Sequence, residues 1–151
     1  MSLPVDLDLV AAAHEKHNVS ADEVAALYDT LPSVTPDFLL GNWKGSVIYT
    51  GHKDIEILLA MKWDGKMFHS VDSVEPVVVL SEENSRVPMR ELGGARIREV
   101  KFRGVVTAAM VYDQQPVIDY FRRLNDRTVV GVMEHKLDNS DFGLSFILER
   151  I

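Results

Sequence analysis

The chain has 151 residues, a length at which one domain can bury a full hydrophobic core. Its formal net charge of -7 argues against nucleic acid as a partner, because that role needs basic patches. The absence of cysteine excludes disulfides, thiolate metal sites and a cysteine nucleophile, and it is typical of a cytoplasmic protein. No apolar run approaches the roughly 20 residues of a membrane helix, so we expect no stable membrane insertion.

The first part of the chain, residues 1–34, is expected to be helical. Residues 6–17 carry a short apolar stripe that predicts a first helix. Ser20 and Glu23 have the spacing of a capping box, in which each side chain bonds the other residue's backbone N–H. A second helix is therefore predicted to begin at Ser20 and to end near Leu31.

The middle of the chain mixes strands with one helix. A strand is predicted over residues 42–50, and apolar side chains at helical spacing predict a helix over residues 53–62. An Asp-Gly pair within residues 63–66 predicts a hairpin turn, followed by short strands up to residue 80. Residues 81–95 are polar and contain Pro and Gly, which predicts one long loop.

The last part, residues 96–151, is predicted to be an antiparallel meander. Apolar or alternating segments separated by turn residues predict strands at 96–103, 104–112, 116–123, 127–136 and 142–151. With the earlier strands the count reaches about eight, which is enough to close a barrel. We therefore expect one mainly β domain, an antiparallel β-barrel with one or two N-terminal helices and a short helix after the first strand.

Strand parity predicts how this barrel closes. Trp43 opens the first strand between two glycines, which suggests a large ring that fills one end of the barrel. On the last strand, Arg150 shares a face with Phe146 and Leu148 and is expected to point inward. The guanidinium would then stack on the indole of Trp43 and donate to carbonyls of the preceding turn.

The same residues carry a resemblance to known proteins. The stretch Gly41-Asn42-Trp43-Lys44-Gly45 resembles the GXWXG domain of bacterial proteins of unknown function, here within residues 35–80. The segments 102–104, 112–122 and 131–134 resemble the uncharacterised C-terminal domain that usually accompanies it. Together the two cover nearly everything from about residue 20 to the end, and they imply a fold more than an activity.

Gly41-x-Trp43 near the start and Arg150 near the end also resemble the calycin pattern of lipocalins, fatty-acid-binding proteins and nitrobindin-like barrels. This resemblance implies a calycin-like barrel that holds one small ligand. The helix predicted over residues 53–62 departs from lipocalin order, so a pleckstrin-homology-like half-barrel stays open as an alternative.

A barrel of this size can hold one small hydrophobic or amphipathic molecule, and a lipid or fatty acid is the natural class. Flexible Met110 and Met133 lie opposite small residues and would adapt to such a ligand. The candidate contacts for its polar end are Tyr49, Trp63, Tyr112, Asp119 and Arg122. The interior expected from parity comprises Val47, Tyr49, Val106, Ala108, Met110, Tyr112, Val129, Gly131, Met133, Leu144 and Phe146. The same side chains would equally form a packed core without a cavity.

Asp119 is the polar residue of greatest interest, because it shares a face with Val117 and Phe121. A carboxylate on an apolar inward face needs a partner, and Arg122 is the candidate. Buried carboxylates have raised pKa values, so Asp119 is also a candidate general base. An enzyme that uses Asp119 or a histidine at the barrel mouth is therefore the second hypothesis for function, beside a structural ion pair.

Further alternatives remain. Nitrobindin-like barrels hold haem through a histidine, so the resemblance implies haem ligation by His135 or His69 as a lesser alternative; otherwise no cofactor or metal is expected. A packed β domain that contacts other proteins or forms a homodimer is the third hypothesis for function. The sequence shows no Ser-His-Asp order and no phosphate-binding loop, so it names no reaction.

Overall fold

The structure is a computed structural model, and it describes residues 7–151. The first six residues of the predicted helical segment lie outside this range. The helices are α1 (Leu9–His14), α2 (Ala21–Thr30), α3 (Pro36–Leu39) and α4 (Ile55–Ala60). The strands are β1 (Gly41–Val47), β2 (Trp63–Ser70), β3 (Ser73–Leu80), β4 (Arg86–Pro88), β5 (Ala95–Phe102), β6 (Val105–Tyr112), β7 (Val117–Asn125), β8 (Thr128–His135) and β9 (Leu144–Arg150).

The strands form a closed antiparallel barrel. Neighbours follow the order β2-β1-β9-β8-β7-β6-β5-β3, and pairing of β2 with β3 closes the ring of eight strands. The short β4 pairs with the last residues of β3, from Val78 to Leu80, whereas β5 pairs with β3 at Val74. The predicted mainly β barrel is thus confirmed, and the half-barrel alternative is wrong.

Helices α1 and α2 cover part of the outside of the barrel. Helix α2 begins with the predicted capping box, in which Ser20 accepts from Glu23 N and the Glu23 carboxylate accepts from Ser20 N. Helices α1 and α2 bury a second apolar cluster against outward side chains of β8 and β9. This cluster includes Leu9, Val24, Tyr28, Val130, Val132 and Ile147. None of the helices within residues 7–151 is long and apolar enough to cross a membrane.

The meander is close to its prediction. For β5 to β9, each predicted bound lies within two residues of the observed one. Val106 is an exception to the predicted interior, because its side chain lies near the start of β6 and is 53% exposed. The other inward residues lie in or against the barrel core, with Gly131 buried among them.

The greatest departures from prediction lie between residues 63 and 95. Residues 63–66 are not a hairpin turn but the start of β2, in which irregular pairing with β3 interrupts the usual alternation. The predicted loop over residues 81–95 contains β4 and a 3₁₀ turn at Arg90–Leu92. Arg86 fastens β4 to the barrel by donating to the Asp64 carboxylate and to the carbonyl of Trp43.

Trp43 and Arg150 close one end of the barrel. The indole is fully buried, and its Nε1 donates to the carbonyl of Leu39 at 2.7 Å. The Arg150 guanidinium lies 4.1 Å from the centre of the Trp43 ring. It also donates to the carbonyls of Leu40 at 3.0 Å and Phe38 at 2.7 Å. Arg150 therefore ties the last strand to the segment that leads into the first strand.

Replacing Trp43 with alanine is expected to lower the free energy of unfolding by about 3–5 kcal/mol, because it leaves a large cavity in the barrel end. Urea denaturation monitored by circular dichroism measures the loss. Leu137→Ala is the control, because the Leu137 side chain is 82% exposed and its removal should change stability little. A loss below about 1 kcal/mol for Trp43→Ala would contradict the closing role.

Candidate functional site

A buried ion pair spans the interior of the barrel. Lys66 on β2 and Asp119 on β7 have side chains that are 3% and 1% exposed, and Lys66 Nζ lies 2.9 Å from Asp119 Oδ2. Strands β2 and β7 are four steps apart in either direction around the ring, so they face each other across the barrel. The two side chains therefore meet inside the barrel, among apolar residues.

The surroundings of Lys66 favour a positive charge. Its Nζ lies 5.3 Å from the ring centre of Phe146 and 5.7 Å from those of Trp63 and Tyr112. Aromatic faces attract a cation, most strongly where water is excluded. Nζ also donates to the carbonyl of Pro76 at 2.9 Å. Three rings, a carbonyl and a carboxylate thus compensate the ammonium for its lost hydration.

The surroundings of Asp119 are much less favourable to charge. Within residues 7–151, the Lys66 ammonium, 2.9 Å from Oδ2, is the one donor beside the carboxylate, so Lys66 is its main compensation. The register places Met110 and Met133 opposite Asp119 on the two neighbouring strands. Burial raises the pKa of the Asp119 carboxyl, and the attraction of Lys66 opposes that rise.

Tyr112 stands beside the pair as a third polar group. Its hydroxyl lies 3.5 Å from Lys66 Nζ. Burial raises the pKa of the phenol well above its usual range, and the charge of Asp119 adds to the rise. Tyr112 therefore remains a neutral hydroxyl that can donate or accept a hydrogen bond in this part of the barrel.

The wall of the barrel has a gap near this site. β1 pairs with β2 only as far as Lys44 and Gly65, whereas its pairing with β9 continues to Val47. Helix α4 and Trp63 lie at the gap. A cleft of about 290 Å³ opens there, and its lining includes Gly45, Val47, Tyr49, Leu58 and Trp63.

Trp63 lies between this cleft and Lys66. A Cβ on Gly45 would lie 2.3 Å from Cη2 of the indole, so the glycine is required for Trp63 to lie against β1. The ring also packs edge-on against Phe146 at 5.4 Å, and its Nε1 donates to the carbonyl of Gly65 at 3.0 Å. Trp63 therefore lines the cleft and also belongs to the aromatic surroundings of Lys66.

A second cleft of about 290 Å³ lies on the other side of α4 and is lined in part by Leu58, Met133, His135 and Leu137. Leu58 lines both clefts. Helix α4 is only six residues long and has one fully buried side chain, Ile55. The helix therefore covers this end of the barrel with few buried contacts.

The structure brings together most of the site residues predicted from the sequence. Tyr49, Trp63, Met110, Tyr112, Asp119 and Met133 all contribute to the barrel interior or its mouth. The space above Gly131 is filled, because a Cβ there would lie 2.4 Å from the ring of Phe146. Gly131 therefore leaves no open space in the interior.

Arg122 is not the partner of Asp119. It lies on the outer face of β7, where the guanidinium donates to the carbonyls of Tyr28 at 3.2 Å and Leu31 at 2.9 Å. It also lies 4.7 Å from the ring centre of Tyr28. These contacts fasten helix α2 to the barrel. Arg122 points away from Asp119 because residues 119 and 122 differ in parity along the strand.

Lys66 is the candidate site residue that sequence reasoning missed. Its segment resembles a hairpin turn, and a lysine in a turn is expected to be solvated. The available signal was Phe68, since parity along a strand places residues 66 and 68 on the same face. Reading residues 63–70 as a strand would have placed a lysine inside the barrel.

The histidines lie away from the ion pair. His69 is about half exposed and lies 3.3 Å from Glu75, and His14 lies 2.6 Å from Glu149. His135 lines the second cleft and accepts from Leu137 N at 3.1 Å. His52 is buried against Asp138 at 2.8 Å in the loop that precedes α4. Among residues 7–151, no three His, Cys, Asp or Glu side chains are placed to hold a metal ion.

Comparisons with known proteins agree with the fold. The family model described as "GXWXG protein" matches residues 26–84, and the model described as "Domain of unknown function (DUF4334)" matches residues 93–150. A solved structure described as a protein from Thermomonospora curvata is 43% identical, with a TM-score of 0.86 over 94% of this chain and 95% of that chain. No curated protein matches the sequence. The chain therefore belongs to the family of GXWXG proteins that carry the DUF4334 domain.

Proposed function

We propose that the barrel binds one small hydrophobic or amphipathic molecule, of the lipid or fatty-acid class, with its polar end at Lys66 and Asp119. The observation that supports the proposal is the ion pair itself. Lys66 Nζ and Asp119 Oδ2 lie 2.9 Å apart inside the barrel, among mainly apolar side chains. Burying two charged groups there lowers the stability of the fold, because both lose their hydration. A polar ligand group that contacts them explains why the barrel keeps them.

The apolar lining supports this ligand class. Side chains around the pair belong to Phe, Trp, Tyr and Met residues, which contact hydrocarbon well and leave few hydrogen-bonding groups for a sugar or nucleotide. Met110 and Met133 flank Asp119, and their flexible side chains adapt to ligands of different shape.

The gap between β1 and β2 supports a route of entry. In the proposed route, the ligand enters the cleft beside α4 and reaches Lys66 when the indole of Trp63 rotates away. The loosely buried α4 can move with it, because regions with few buried contacts open at low cost in free energy. The apolar part of the ligand would then lie against Val47, Tyr49 and Leu58.

An enzyme acting on the same kind of ligand is the second candidate. The position of Asp119 beside Lys66 and Tyr112 favours it, because a buried carboxyl whose pKa is raised by desolvation is a candidate general base. Tyr112 and Lys66 would supply the proton donor and the positive charge beside it. The sequence also named a histidine at the barrel mouth as a candidate base, and His135 lines the second cleft.

The ion pair is expected to contribute little to stability as a unit. Lys66→Met or Asp119→Leu alone should lower the free energy of unfolding by about 3–5 kcal/mol, because each leaves an uncompensated buried charge. The double variant should lie near the wild type, since it removes both charges. Urea denaturation of the four proteins measures this. A double variant that loses as much as the two single losses added together would contradict a functional reason for the pair.

Native mass spectrometry of protein purified from its own host is expected to show one small apolar molecule per chain, identified after denaturing extraction. Lys66→Met should lose this molecule, because its polar end loses the ammonium. Lys44→Met is the matched control, because Lys44 lies on the adjacent strand with its side chain 59% exposed, and it should keep the molecule. A bare mass for all three proteins would favour the packed interaction domain instead.

Asp119→Asn separates carrier from enzyme. In an enzyme, turnover of the identified ligand should fall by orders of magnitude while binding is retained, because the amide cannot accept the substrate proton. In a carrier, only the affinity should change. The two parameters are measured on the same variant, by ligand titration and by product analysis, with Lys44→Met as the control.

A further inference from the structure

We infer that the ligand is a carboxylate and that the barrel binds it together with one proton, which Asp119 takes up. This inference rests on the proposed function and names its ligand class. It follows from the unequal surroundings of the two charges in the pair. Lys66 has three aromatic rings and the Pro76 carbonyl in addition to Asp119. Asp119 has Lys66 alone within the described residues.

The surroundings of Lys66 stabilise its charge better than those of Asp119 stabilise the carboxylate. A carboxylate that stays ionised in a protein interior usually accepts two or three hydrogen bonds, and among the described residues Lys66 is the one donor beside Asp119. An ammonium beside three aromatic faces is stabilised in its charged form. The site is therefore built around a fixed cation at Lys66, with an anion beside it that another anion can replace.

The exchange balances in charge and in atoms. The ligand carboxylate takes the place of Asp119 beside Lys66 Nζ, and Asp119 Oδ2 takes one proton from solvent through the cleft beside α4. Before binding, the interior holds Lys66 and Asp119 with no net charge. After binding, it holds the ammonium, the ligand carboxylate and a neutral Asp119, again with no net charge. Binding of the anion without the proton would bury two carboxylates around one lysine, which is costly.

The other titratable groups near Asp119 do not substitute for it. Lys66 on β2 and Tyr112 on β6 face it directly, and the phenol stays protonated because burial raises its pKa. On its own strand, Tyr120 lies on the outer face, where its hydroxyl donates to Glu134 of β8 at 2.8 Å. His135 of β8 is opposite Val117, near the second cleft. Asp119 is thus the group that takes up the proton.

The sign of the pH dependence follows from linkage. The complex holds one more proton than the free protein and ligand, so affinity rises as pH falls. Where free Asp119 is ionised and the bound form is protonated, the dissociation constant for a carboxylate should rise about tenfold per pH unit. A neutral ligand of the same chain length leaves Asp119 beside Lys66 and should show no such slope.

Isothermal titration calorimetry of the wild-type protein with decanoate and decan-1-ol tests the inference. Each titration is done at the same pH in phosphate and in Tris, whose ionisation enthalpies differ, so that the difference in heat counts the protons exchanged. We expect uptake of one proton per decanoate and none per decanol. Asp119→Asn should bind decanoate with no proton uptake, because the amide cannot titrate. The wild-type comparison is decisive by itself if that variant does not fold.

The outcomes separate the two proposals. Decanoate bound without proton uptake, or decanol bound with decanoate rejected, would overturn the carboxylate inference and leave a ligand-binding barrel. Failure of both probes to bind at millimolar concentration, together with a bare mass in native mass spectrometry, would overturn the proposed function as well. Uptake of one proton with decanoate in the wild type and in Asp119→Asn alike would assign the proton to another group and contradict the role of Asp119.

Discussion

The ion pair between Lys66 and Asp119 is the constraint on which the interior of this barrel depends. It joins strands that face each other across the ring, and it places two charges where an apolar core would be more stable. The aromatic rings around Lys66 are then required as well, because they replace part of the hydration of the ammonium. A ligand-binding barrel and an enzyme would both use this pair.

The two ends of β1 have opposite roles. At its start, Trp43 fills the barrel and Arg150 ties the last strand to the segment that precedes β1. Toward its end, β1 separates from β2, and Trp63 and α4 cover the gap with few buried contacts. Trp43 and Arg150 thus close the barrel at the start of β1, whereas a cleft lies beside α4 toward the end of the strand.

The sequence predicts the site only in part. Parity identifies Asp119, Tyr112 and the two methionines as inward, because the alternation of β6 to β8 is regular. The predicted pairing of Asp119 with Arg122 is wrong, because it relied on proximity in the chain and the two residues differ in parity. Lys66 escapes prediction because irregular pairing interrupts β2 and an Asp-Gly pair resembles a turn.

The sequence by itself determined the meander after residue 95, the capping box of α2 and the residues that close the barrel, because each depends on local periodicity or spacing. The tertiary structure alone decided that β2 faces β7, that the wall opens beside α4 and that Lys66 meets Asp119. These features depend on the order and register in which distant strands pair, and no local pattern encodes the distance across a closed barrel.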